Sequence, residues 1–118
     1  MFCIQSKLSH FWTMNKMIYN VTVSVDEPVH EDWLHWMKTV HVPDVMATGF
    51  FTSSKICRVL AHEEGGVTYA IQYVVKNRQA YDEYQAFHAP QLQAKHTERF
   101  GAQTAAFRTL LEILHEEE

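Results

Sequence analysis

MIYNVTVSV, residues 17–25, runs directly into Asp26-Glu27-Pro28 and then into an amphipathic stretch holding Trp33, Trp36 and Met37. Within it Tyr19, Val21, Val23 and Val25 alternate with Asn20, Thr22 and Ser24. That period of two marks a half-buried strand. Pro28 suits a first helical turn, where its missing N–H costs nothing, and Glu31 and Asp32 favour the positive end of a helix. Val29, Trp33, Trp36 and Val40 form one apolar row of this helix, and Leu34, Met37 and His41 a neighbouring one. Pro43 is expected to stop it, with Asp44 capping one more short turn that ends at Gly49.

The same strand-to-helix pattern returns further on. A second strand is expected over residues 50–60, followed by the turn HEEGG, residues 62–66, in which Gly65-Gly66 supplies the positive φ angles of a hairpin. The third strand, residues 67–75, places Tyr69, Ile71 and Tyr73 on one face and Thr68, Ala70 and Gln72 on the other. Asn77 caps a second helix that runs through Tyr81 and Tyr84 to His88. Pro90 interrupts it, and a further turn or two carries Leu92, His96 and Arg99. After Gly101 a last strand, residues 102–113, aligns Ala105, Phe107, Thr109, Leu111 and Ile113.

The order is β-α-β-β-α-β, which with right-handed crossovers gives the α+β, ferredoxin-like arrangement: a four-stranded antiparallel sheet with both helices on one face. The opposite face carries Thr22, Gln72, Val74, Ile56 and Leu60, too apolar in places for bare solvent. A homodimer through this exposed sheet face is expected.

The 118 residues read as a single domain over residues 17–118, preceded by a poorly ordered leader, residues 1–16, on which Phe11 and Trp12 are the side chains able to dock. A hydrophobic fraction of 47% with 13% aromatics excludes a disordered chain. The net charge is −4 and no Lys/Arg cluster occurs, which argues against nucleic acid as a partner. Apolar runs fall short of the ~20 residues of a membrane span. Cys3 and Cys57 make neither a disulfide framework nor a zinc spacing, so a reducing, cytoplasmic setting is expected.

Polar side chains on otherwise apolar helical faces give the candidate site. His41 and His88 are the acid–base candidates, with Tyr19, Trp36, Tyr69, Tyr73, Tyr84 and His96 lining a pocket between helices and sheet. The plainer alternative is that each caps a helix end or satisfies a buried carbonyl. No metal or cofactor is expected: His41 and Asp44 form an H-x-x-D pair, but Pro43 lies between them and no HExxH pattern exists. Cys57 sits mid-strand with Arg58 pointing the other way, the pattern of a small buried hydrophobe, and Ser53 and Ser54 lack a GxSxG elbow.

The stretches IYNVTVSVD, DWLHWMKTVHVPDVMATGFF, YAIQYVV, YDEYQAFHAPQL, HTERFG and FRTLLEIL resemble the small bacterial family labelled domain of unknown function 4286, over about residues 17–114. The resemblance implies a dimeric α+β barrel, a group that includes cofactor-independent monooxygenases of antibiotic-biosynthesis type, haem-degrading enzymes and plain ligand-binding proteins. The haem-degrading branch uses an Asn on the first strand, a Trp ending the third and a His on the second helix. Here the Asn position falls on Tyr19, with Asn20 facing the other way, the Trp position falls near Val75, and His88 lies beyond the His position. Haem degradation is therefore not expected. The expected function is a small-molecule-binding or sensing module, with a small apolar or aromatic ligand held between helices and sheet. The alternatives are a monooxygenase-like or isomerase-like enzyme with a His acid–base, and a structural partner protein without a pocket.

Overall fold

A computed structural model describes residues 15–61 and 63–118, so the expected leader, apart from Asn15 and Lys16, lies outside the described residues together with Cys3, Phe11, Trp12 and His62. β1 (Met17–Asp26) is central, antiparallel to β3 (Gly66–Val75) on one side and to β4 (Thr104–Glu112) on the other. β2 (Phe51–Arg58) joins the far edge of β3, also antiparallel, giving the order β2-β3-β1-β4. This is the four-stranded antiparallel sheet of a ferredoxin-like α+β fold, as the alternation indicates.

The first helical arm is α1 (His30–Trp36), a wide turn (Met37–His41) and α2 (Val42–Ala47). The second is α3 (Arg78–Phe87) and α4 (Ala89–Phe100), and Asn77 caps it through its side-chain oxygen, which accepts from the Ala80 N–H at 2.8 Å. Both arms pack on one side of the sheet. Trp33, Met37, Val45, Tyr84 and Leu92 from the helices share a buried cluster with Tyr19, Val23, Ile71 and Tyr73 from β1 and β3.

Pro43 does not stop the first helix. The N–H of Val42 reaches the carbonyl of Met37, five residues back, and this wide turn leaves Pro43 in the first turn of the segment that follows, where no N–H is required of it. Gly49 closes the arm at φ +83°, a left-handed angle as expected. Pro90 likewise opens α4 rather than leaving a ragged turn or two, and α4 runs for 12 residues.

Three further expectations need correction. In the hairpin only Gly65 has positive φ, +75°. Gly66 is needed for close approach instead, since a Cβ there would sit 3.3 Å from Ser24 Oγ. On β2, Ile56 lies opposite the buried Ile71 and so faces the helices, not the open side. The register shift between Phe51 and Ser53 is the cause: one extra residue reverses the parity of everything after it. Cys57 then lies beside Ala70 on the open face and is exposed rather than buried.

That open face has a polar middle and an apolar flank. Asn20 donates to Thr22 Oγ1 at 3.0 Å and accepts from Gln72 Nε2 at 3.3 Å, directed away from the helices. Phe107, opposite Thr22, is 63% exposed, and Leu111, opposite Ile18, is 44% exposed. Leu60 lies beyond the end of β2, almost fully exposed. No helix among the described residues is long and apolar enough to cross a membrane.

Candidate functional site

The wide turn decides what faces the sheet. Steps of four residues, from Trp33 through Met37 and His41 to Val45, would drift around a regular helix, because four overshoots a turn of about 3.6. The five-residue hydrogen bond at Met37–His41 absorbs the surplus. Trp33, Met37 and Val45 therefore all stay buried, with His41 among them directed into a cavity. Val40, expected in the apolar row, is turned outward and is 41% exposed.

The cavity measures about 50 Å³. Tyr19, Val21 and Tyr73 floor it from β1 and β3, while His41 on the first arm and Gln93 and His96 on α4 form its walls. Its opening lies along β4. Ala106 and Arg108 stand opposite Val23 and Val21, hence on the helix side, yet both are exposed because neither arm covers β4.

Aromatic contacts hold the two histidines. The Trp36 ring stacks on His41 at 5.1 Å, and His41 meets His96 edge-on at 5.8 Å. His96 Nε2 accepts the indole N–H of Trp33 at 2.9 Å. Arg99 lies 5.8 Å from the Trp36 ring, on its outer side. Burial lowers the His41 pKa from 6.5 to about 4; His96, Arg108 and Lys95 add to this and Asp44 opposes it. Burial, aided by Arg108, lowers that of His96 too. His41 is thus neutral near pH 7, and the indole bond requires an unprotonated Nε2 on His96.

At the other end Tyr19 lies 6.0 Å from Tyr73 and 6.1 Å from Tyr84, and Phe51 packs edge-on to Tyr84 at 4.6 Å. Burial raises the pKa of the Tyr73 and Tyr84 hydroxyls well above the usual tyrosine value, so both stay protonated. The cavity thus offers neutral imidazoles and phenols inside and one guanidinium at its mouth.

Of the residues singled out from the sequence, Tyr19, His41, Tyr73, Tyr84 and His96 line the cavity, and Trp36 backs His41. Tyr69 is elsewhere: its hydroxyl is paired with His30 Nδ1 at 2.8 Å and its ring lies 4.9 Å from Trp33. His88 sits at the junction of α3 and α4 against Phe50, 5.4 Å away, and does not line the cavity. The histidine that joins His41 is His96. Gln93 and Arg108 went unnoticed in the sequence. Arg108 could have been found from the even positions of the last strand, where it interrupts Ala106 and Leu110. Among the described residues, no group of three His, Cys, Asp or Glu side chains is placed to hold a metal ion.

The model of the family described as domain of unknown function, DUF4286, matches residues 16–114. No curated protein matches the chain in sequence. Solved structures with the same fold include HapK from Hahella chejuensis, at 13% identity and a TM-score of 0.64, covering 87% of this chain and 96% of that one. SnoaB from Streptomyces nogalater, a cofactor-independent oxygenase, superposes with a TM-score of 0.63 at 11% identity, over 86% of this chain and 96% of its own. A dimeric ferredoxin-like protein from an uncultured marine organism matches at 12% identity and a TM-score of 0.59, over 87% and 99%. At such identities the likeness concerns the fold alone.

Proposed function

For this chain, which belongs to the DUF4286 family and has a ferredoxin-like α+β fold, we propose a small-molecule-binding or sensing role, with the ligand held between the helices and the sheet. The observation that carries this reading is the cavity itself, an apolar space with a few convergent polar groups and an opening along β4. Its size supports a small ligand body. An apolar cavity that takes benzene is about 150 Å³, three times the volume here, so a ring would have to displace side chains whereas a few heavy atoms would not.

A second reading, a small enzyme, draws support from the unprotonated His41 within the cavity and from the oxygenase description of SnoaB. Efficient general acid–base groups titrate near the working pH. A His41 pKa of about 4 therefore favours the binding role. We further propose a homodimer across the open sheet face, supported by the exposed Phe107 and Leu111 and by the dimeric neighbour, in the reducing cytoplasm that the cysteine content favours.

The test is to block the mouth. Ala106→Trp places an indole over the opening without touching the buried core. Ligands found by thermal-shift screening of small organic molecules should lose their stabilising effect in A106W, while the unfolding midpoint of the free protein stays near that of the native chain. Undiminished ligand shifts in A106W would place binding outside the cleft and end this reading.

A further inference from the structure

We infer that the cleft selects a short-chain monocarboxylate, its carboxylate held by Arg108 and its few-carbon tail inserted toward Tyr19 and Tyr73. This rests on the binding role proposed above and names the ligand class for the same site.

Charge comes first. Arg108 lines the cavity, and among the described residues the ion pairs are Lys16–Glu116, Arg78–Asp82 and His115–Glu117, none of which engages it. No Asp or Glu lines the cavity either. The other polar groups there are the phenols Tyr19, Tyr73 and Tyr84, the amide Gln93, and the imidazoles His41 and His96, whose charged forms burial disfavours. A cavity with one guanidinium and no carboxylate has an unmet preference for a single negative charge. The planar fork of Arg matches a carboxylate with two parallel hydrogen bonds. A cation would meet Arg108 at the mouth and gain no counter-charge from the lining.

Position gives the orientation. Arg108 is exposed on β4, where the cleft meets solvent, while Tyr19 and Tyr73 are 3% exposed at its inner end. The charged head therefore stays at the mouth, partly hydrated, and the apolar tail enters. A buried carboxylate deeper in would face the penalty of desolvation with only neutral partners.

Volume limits the tail. At about 50 Å³, and with roughly 10–15 Å³ needed per water-sized site, the space takes about three to five heavy atoms. That is the tail of butyrate. The gain from so few atoms is small, so binding in the millimolar range is expected.

The experiment titrates the full-length protein with butyrate and, separately, with its uncharged isostere butyramide, following backbone amide shifts at constant ionic strength. Butyrate should shift amides around Ala106, Arg108 and Gln93, with butyramide weaker by about tenfold or more, the loss of one charged hydrogen-bonded contact. Arg108→Gln should bring butyrate down to the butyramide level, and Arg58→Gln, which alters a cation beside Tyr69 and outside the cavity, should leave the preference intact. Equal binding of the two probes, or an unchanged preference in R108Q, would refute the carboxylate assignment while leaving the cleft as a binding site. Shifts confined to residues away from the cleft would refute both, and none with either probe would refute the carboxylate assignment.

Discussion

Trp33 and His96, 63 residues apart, are joined by one hydrogen bond, the indole Nε1–H donating to imidazole Nε2 at 2.9 Å. Indole is a donor only, so the bond places the proton of neutral His96 on Nδ1. It also resists protonation, since a charged ring would set N–H against N–H. Trp33→Phe keeps most of the buried ring volume and removes the donor. We predict a loss of about 1–3 kcal/mol in stability from the unsatisfied nitrogen. Imidazole nitrogen shifts followed against pH should show the His96 pKa rising in W33F, and an unaltered titration would show that the bond does not govern the ring's state.

The buried imidazole of His41 makes stability depend on acidity. Its folded pKa, about 4, lies below the ordinary 6.5, so between these values the unfolded chain binds the extra proton. The contribution is complete above about pH 6.5 and is lost as pH falls toward 4, at most about 3 kcal/mol for a shift of this size. Denaturant unfolding at a series of pH values should show this decline, and His41→Gln should flatten it. His96 works in the same direction, so some slope persists in H41Q.

Dimerisation predicts a clean sedimentation result. Phe107 is large, apolar and 63% exposed on the open face, away from the cavity. The native chain should sediment as a dimer at micromolar concentration, and Phe107→Glu should convert it to a folded monomer, because a buried unpaired charge at such a contact is costly. A native monomer would mean that this face is simply solvated.

Alkaline titration separates the tyrosines. Tyr73 and Tyr84 should remain protonated through the ordinary tyrosine range near pH 10. Tyr73→Phe and Tyr84→Phe should therefore leave the phenolate absorbance gained in that range unchanged. A drop in that absorbance in either variant would show that the phenol in question is open to water.

Much of the architecture was readable because period-two alternation in residues 17–25 and 67–75 is a local signal, and because Asn77, Gly49 and Gly65 sit where backbone geometry demands them. Two of the failures arose where one residue had been inserted into a regular period. The surplus between Phe51 and Ser53 reversed the face of Ile56, and the surplus at Met37–His41 carried the helix through Pro43 and turned Val40 outward. Neither insertion shows in the hydrophobic pattern of its own segment, which reads as a regular strand or helix until the register is seen. The cavity was half readable. His41, His96 and the tyrosines stood out as polar groups in apolar rows, but the partner of His41 depended on how α4 lies over β1, a distance no spacing reveals.

The wide turn has a consequence for how this chain can change. Its downstream half owes its rotational phase to a single surplus residue, and loss of one codon there would rewind everything after it by about 100°. Trp33 and its neighbours upstream would keep their seats, while the side chain overlooking the inlet would be exchanged for another. Family members that differ by one residue in this segment should therefore share a scaffold and diverge in what they admit.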